Sequence, residues 1–364
     1  MKKKFLIGIG IFVGLLLIGA ALGVFYFKPD KEKVLNFIKE NPDKANILLI
    51  RNDSILAEQN IEKLSPLAST VKIIVAIEYA KQASAGTINP DEFVAIADLE
   101  KFHIKGTDGG AHPAWLLTVQ NKTFDNKIAL REIAKGMIKY SSNANTEWLM
   151  ERLGLENINS RIDSLGLKNH TQIYYIASAM FIGNEAFPDV TGTELTEKLQ
   201  NLELIKYIEL SKSIHAKLLV DTVYKTKTGE MMEMDVQKIW SNNLPSSTVA
   251  DYVSIMKKIN NRVYFDVKTQ QYLDEVMEYV LENPANKEWL EHSGTKGGST
   301  AFALTKALYA TDKKGNKTEL AYFFNDLSLF ENFRLQFSMN EFELHILTKN
   351  EFREKVFGTL KHQN

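Results

Sequence analysis

Apolar residues run without a charge from position 5 to 27, behind Lys2-Lys3-Lys4 and ahead of Lys28-Pro29-Asp30. At 1.5 Å rise per residue such a stretch crosses a hydrocarbon core of roughly 30 Å, so the pattern predicts a membrane helix. Beyond it the periodicity changes. Residues 31–40 carry an amphipathic helical pattern, and 45–51 read as a strand. Asn52-Asp53 then form a hairpin turn into a second strand over 54–58. Leu64-Ser65-Pro66-Leu67-Ala68 is loop-like, and the uninterrupted apolar run 73–77 reads as a buried helical segment. From 86 to about 284 the pattern is mainly helical, with loop signals at 106–113, 183–192 and 240–247. Strands return at 300–311 and 318–326 around the turn Asp312-Lys313-Lys314-Gly315-Asn316, and 350–360 reads as a closing helix.

Strands at both ends with helices between predict a sheet built from sequence-distant strands that carries a helical insertion, an α/β (α+β) class. The expected division is an anchor over 1–29 and one domain over 30–364. Its α/β part is drawn from 30–85 and 285–364, and its all-α part from 86–284. The flanking lysines predict a cytoplasmic N-terminus and an extracytoplasmic domain, periplasmic or at the cell surface. A cleaved signal peptide is the rival reading, but Ala20-Ala21-Leu22-Gly23 is a poor cleavage site and the apolar run continues past it. Small-xxx-small spacings at Gly10/Gly14 and Gly19/Gly23 are common in membrane spans and need no pairing partner.

Composition narrows the chemistry. The chain has 364 residues, 45% of them hydrophobic, enough for a large core. Its 44 basic and 45 acidic residues give no electrostatic footprint for nucleic acid. With no cysteine there is no disulfide, thiolate zinc site or cysteine nucleophile. There is no His-Glu-x-x-His and no Gly-x-x-x-x-Gly-Lys-Ser/Thr loop, so no metal or nucleotide cofactor is expected.

What remains is hydroxyl chemistry. Ser69-Thr70-Val71-Lys72 sets a serine and a lysine one helical turn apart where a buried helix begins. Burial that lowers the pKa of Lys72 lets the neutral amine take the Ser69 proton. Ser141-Ser142-Asn143 and His292-Ser293-Gly294 follow in order, the latter directly before the late hairpin. Ser254-Ile255-Met256-Lys257, Ser241-Asn242-Asn243 and Lys227-Thr228-Gly229 match the same short patterns. Ser254 sits inside a helical pattern instead of opening a helix, and no clear strand follows Lys227.

The order Ser-x-x-Lys, Ser-x-Asn, (Lys/His)-(Ser/Thr)-Gly resembles the serine β-lactamase and penicillin-binding protein superfamily, nearest to class A β-lactamases, over most of residues 45–360. The resemblance implies a three-layer antiparallel-sheet fold with an inserted all-α subdomain and an acyl-enzyme mechanism. Ser69 would attack an acyl carbon, and Lys72 would act as base or proton relay. Ser141 would pass the proton to the leaving nitrogen or oxygen. Asn143 would hold Lys72 and a substrate amide. His292, Ser293 and Gly294 would form the substrate-carboxylate subsite, and the backbone N–H groups of Ser69 and Thr295 the oxyanion hole. The implied partner is a β-lactam or a peptidoglycan-derived acyl substrate ending like D-alanyl-D-alanine. An esterase and a non-catalytic cell-envelope binding protein are the alternatives.

One departure bears on turnover. Class A enzymes carry a Glu-x-x-Leu-Asn segment whose glutamate activates the deacylating water. The corresponding stretch here, Thr171-Gln172-Ile173-Tyr174-Tyr175-Ile176-Ala177, has no carboxylate. Asp108, His112 and Trp115, in and after a glycine-rich loop, are further candidates for the cleft mouth, with Trp115 read chiefly as a packing anchor. His103 and His112 lack a third ligand at metal-binding spacing.

Overall fold

The computed structural model describes residue 23 and residues 26–360 apart from 222 and 228. The anchor expected over 1–29 falls almost wholly outside the described residues, and among those described no helix is long and apolar enough to cross a membrane.

Helix α1 (Lys31–Glu40) is opened by Asp30, whose carboxylate accepts the Glu32 N–H. Strands β1 (Ala45–Arg51) and β2 (Ser54–Gln59) are joined by Asn52-Asp53, both at positive φ, 47° and 63°. Two such residues in succession give the hairpin turn whose twist matches its strands. A 3-10 turn over Ala68–Val71 then runs into α2 (Lys72–Ala85), which is buried along most of its length. The helical region contributes α3 (Leu130–Lys139), α4 (Asn143–Leu153), α5 (Leu204–Val220), α6 (Met234–Asn243), α7 (Val249–Asn261) and α8 (Val267–Met277). The chain closes with β3 (Leu290–Ser299), β4 (Leu304–Asp312), β5 (Lys317–Phe324), α9 (Leu329–Thr348) and α10 (Asn350–Leu360).

The five strands form one antiparallel sheet in the order β2-β1-β5-β4-β3, so the terminal strand pairs meet at β1 and β5. Side-chain alternation divides the core between its faces. Ile47, Leu49, Leu308, Leu320 and Tyr322 pack with α1, α9 and α10. Leu48, Ala307, Tyr309, Ala321 and Phe323 face α7 and the helical region. The result is the expected mixed fold, with helices on both faces of the sheet.

Two elements differ from the sequence reading. Residues 290–299, taken as a motif before a hairpin, are a ten-residue edge strand. The 20-residue helix α9 has no counterpart in that reading, although Ser328 and Glu331 form a capping box at its start.

Candidate active site

Ser69 lies on the 3-10 turn ahead of α2, and Lys72, the first residue of α2, is buried. The turn is entered through Ala68 at φ 44°, a left-handed conformation that a Cβ-bearing residue adopts at a cost of about 1–3 kcal/mol. Ser141, between α3 and α4, is held at φ 67°. Strain thus sits on both serine-bearing turns, where it fixes the direction of the hydroxyls.

Lys72 Nζ donates to the Ser141 carbonyl at 2.7 Å and to Asn143 Oδ1 at 2.9 Å, and lies 3.3 Å from Ser141 Oγ. A neutral amine has two N–H donors and one lone pair. The carbonyl and the amide oxygen take the donors, which leaves the lone pair for a hydroxyl proton. Burial lowers the Lys72 pKa to about 7, against the opposing charges of Asp108 and Glu147.

A second amine enters from the edge strand. Lys296 Nζ donates to Ser141 Oγ at 2.9 Å and to the Gly297 carbonyl at 2.6 Å. Burial pushes its pKa well down, and the charge of Lys72 adds to the shift. Two ammonium groups sharing one hydroxyl repel, so the pair favours fewer than two protons at neutral pH.

Gly298 makes this approach possible. A Cβ there would stand 2.5 Å from the Ser69 nitrogen and 2.6 Å from the Leu67 carbonyl oxygen. Thr305 Oγ1, on the adjacent strand, clamps the same turn through Thr70 Oγ1 at 2.7 Å and the Leu67 carbonyl at 2.8 Å. Gly298→Ala must therefore separate β3 from the nucleophile turn, at a cost of about 1–3 kcal/mol from overpacking. Thermal unfolding should register that loss, and acylation should fall with it.

The cleft beside these groups encloses about 640 Å³. Ser69, Ser141, Asn143, Gly297, Gly298 and Ser299 line its reactive end, and Ile176, Met180, Met232, Trp240 and Leu244 form an apolar wall. Among the described residues that line it, Asp108 is the one carboxylate. Glu147 sits behind the 171–178 segment instead, accepting the Ala177 N–H at 2.8 Å and the Ser178 hydroxyl at 2.6 Å.

The structure brings Ser69, Lys72, Ser141 and Asn143 together, and it does not bring His292, Ser293, Gly294 or Thr295 to the cleft. His292 Nδ1 lies 3.2 Å from Glu278 Oε1 and 3.2 Å from Arg262 Nη1. Ser293 Oγ donates to the Tyr309 carbonyl at 3.2 Å, and Gly294 makes room for the Tyr309 ring. Thr295 Oγ1 reaches only the Ala307 carbonyl, at 3.4 Å. The placement expected for that triplet is corrected accordingly: the triplet beside the nucleophile turn is Lys296-Gly297-Gly298, four residues on, its two glycines lining the cleft and the buried Lys296 reaching Ser141 Oγ. Its signal in the sequence was a Lys followed by two glycines within a strand, a mark of close backbone approach. Of the loop candidates Asp108 lines the cleft, whereas His112 and Trp115 are buried away from it, Trp115 donating its indole N–H to the Glu132 carbonyl.

The model of the Beta-lactamase enzyme family matches residues 30–283, and the chain belongs to that family. No curated protein matches the sequence. Similar solved structures include the chromosome-encoded beta-lactamase of Vibrio parahaemolyticus, at 11% identity over 88% of this chain and 100% of that one, TM-score 0.53. A beta-lactamase from Chitinophaga pinensis DSM 2588 aligns at 13% identity over 86% of this chain and 98% of that one, TM-score 0.51. A variant of PBP-A, in an acyl-enzyme complex with penicillin G, aligns at 16% identity over 86% of this chain and 95% of that one, TM-score 0.50. At these identities the likeness speaks for the fold.

Proposed function

We propose that this chain is a serine acyl-hydrolase that forms an ester on Ser69 with a β-lactam or a D-alanyl-D-alanine-like amide, and that this acyl-enzyme is slow to hydrolyse. The observation that carries the reading is the convergence of Lys72 Nζ and Lys296 Nζ on Ser141 Oγ beside the cleft that Ser69 lines. Lys72 takes the Ser69 proton as Oγ adds to the carbonyl carbon. The developing oxyanion is received by the Ser69 N–H and the main chain of the 298–299 segment. When the carbon–nitrogen bond breaks, Ser141 hands its proton to the departing nitrogen and is reprotonated from the lysine pair. Lys296 also places positive charge for the substrate carboxylate, whose arrival restores its proton.

The slow second half-reaction rests on the acid inventory of the cleft. No carboxylate lines it from the 171–177 segment, and Glu147 is committed to the backbone and hydroxyl behind that segment. Lys2-Lys3-Lys4 and the apolar run 5–27 support an anchored, extracytoplasmic placement, where such substrates occur.

Intact-mass measurement of the full chain after incubation with benzylpenicillin tests this reading. Acylation by ring opening releases no leaving group, so a mass gain of one whole antibiotic molecule is expected, and it should persist. No gain together with no loss of penicillin overturns the reading for β-lactams. The acylation rate carries its own pH signature. The base is neutral above the Lys72 pKa of about 7 and is lost as pH falls through it. The rate should therefore drop about tenfold per pH unit below that value and level off above it, as stopped-flow with a chromogenic cephalosporin would show.

A further inference from the structure

Glu100 ends a short helix, His103 follows it, and His112 lies in the first turn of the helix Ala111–Val119. None of the three lines the cleft. Between them runs the 104–110 loop, whose residues 106–109 do line it. Glu100 Oε1 is 3.2 Å from His112 Nε2, and Glu100 Oε2 is 3.3 Å from His103 Nδ1.

The hydrogen-bond inventory around His112 settles which of its nitrogens carries a proton. Asn145 Nδ2 donates to the Ile133 carbonyl at 3.1 Å, which turns its amide oxygen toward Ser142. Ser142 Oγ accepts the Asn145 N–H at 3.2 Å and donates to Asn145 Oδ1 at 3.1 Å. A hydroxyl has one proton to give. The 2.9 Å contact between Ser142 Oγ and His112 Nδ1 is thus an N–H donated by the imidazole. This leaves Nε2 as the nitrogen that points at the Glu100 carboxylate, 3.2 Å away, with the second histidine 3.3 Å from the other oxygen of the same group. An imidazole whose Nδ1–H is tied to a hydroxyl while Nε2 points at an acidic oxygen has the arrangement of a metal-ligating histidine with its supporting hydrogen bond.

We propose that Glu100, His103 and His112 bind a divalent transition-metal ion of the zinc class. Ligand atoms about 2.0–2.2 Å from a tetrahedral zinc lie about 3.3 Å from one another. The Glu100 Oε1–His112 Nε2 edge already has that length, and all three ligand atoms lie within 4.8 Å of one another. His103 meets the other carboxylate oxygen, so closing the remaining edges needs shifts of roughly 1.5 Å or less. Two imidazoles and one carboxylate suit zinc and its neighbours better than calcium or magnesium, which prefer all-oxygen sites. His112 is fully buried, but Glu100 and His103 are partly open, giving the ion a way in and a fourth position for water.

The ion would fasten the two ends of the 104–110 loop. Through His112 and Ser142 it would also bear on the middle residue of Ser141-Ser142-Asn143. Asp108 holds the same loop, accepting the Gly110 N–H at 3.1 Å and the His112 N–H at 3.0 Å. The site therefore positions a cleft wall and takes no direct part in acyl transfer.

Calorimetric titration of the full chain with ZnCl2, paired with Co2+ absorption spectra, is the test. One high-affinity Zn2+ per chain and the intense visible bands of four-coordinate Co2+ are expected. His103→Ala and Glu100→Gln should each weaken binding by about tenfold or more, a loss at least as large as that from a missing supporting partner. His103 is half-buried, so its variant should fold, which circular dichroism would confirm. Absence of saturable Zn2+ binding overturns the proposal. So does binding that both folded variants retain within twofold.

Discussion

Ser69→Ala is expected to leave the chain folded and to abolish its covalent adduct with benzylpenicillin. The side chain lost is small and lines a cleft, so no packed core is opened. The loss of acylation should be about 10³-fold or more, equivalent to about 4 kcal/mol of transition-state stabilisation. No neighbour can substitute for the hydroxyl. Ser141 Oγ is engaged between two amines, at 3.3 and 2.9 Å, which suits the proposed proton relay and not attack on carbon. Thr70 Oγ1 is spent on Thr305. Intact mass and thermal unfolding on the same preparation separate the outcomes. An adduct surviving on folded Ser69→Ala would place the nucleophile elsewhere and remove the basis for the proposed function.

The parts of this site that could be read in the sequence are those made by local spacing. A serine and a lysine three apart share a helical face, so Ser69 and Lys72 follow from 3.6 residues per turn once a helix is recognised. Ser141 and Asn143 lie on one short turn that opens α4, and their approach to Lys72 was implied by the family order of motifs. The hairpin at Asn52-Asp53 was legible for the same local reason, since both residues tolerate positive φ.

What was not legible depends on register between distant strands. Side chains alternate along β3, and only the fold decides how far along it the nucleophile turn touches. His292 and Lys296 differ by four residues, an even number, so alternation alone gives both to the same side of the strand. Position along the strand decides between them. Tyr309 faces Gly294 near one end, and the Ser69 turn meets Gly298 near the other. The three-dimensional neighbours of His103 and His112 were hidden for a related reason. Glu100 is three residues from His103 but twelve from His112, and no ligand spacing spans the loop that folds them together. Helix α9 was missed although its capping box and its apolar stripe at 335, 339, 342 and 346 were present, because three of its four phenylalanines, Phe330, Phe333 and Phe337, lie exposed off that stripe and blur it.

Comparing Lys296→Met with His292→Ala turns that register into a measurement. Methionine fills most of the lysine's volume without its charge, so the buried site stays packed. It removes the donor to Ser141 Oγ and the positive charge held for a substrate carboxylate. Acylation should fall by about 10²-fold or more, typical of losing one charged or proton-relaying group from a transition state. The pH profile should hold its place. Lys72 is shifted by burial, with Asp108 and Glu147 opposing, so without Lys296 the acylation midpoint should stay near 7. His292→Ala removes an imidazole that faces Glu278 and Arg262, outside the cleft. Its acylation rate should stay within about threefold of the parent, less than 1 kcal/mol. Its cost should fall on stability, because Glu278, a carboxyl that burial and Asp274 push up to about 8, loses a neighbour. The reverse outcome, a silent Lys296→Met and an inactive but folded His292→Ala, would return the carboxylate subsite to His292-Ser293-Gly294. That would require the working form of β3 to slide by four residues against the Ser69 turn, and Gly298, packed against the Ser69 nitrogen, would then have no reason to be glycine.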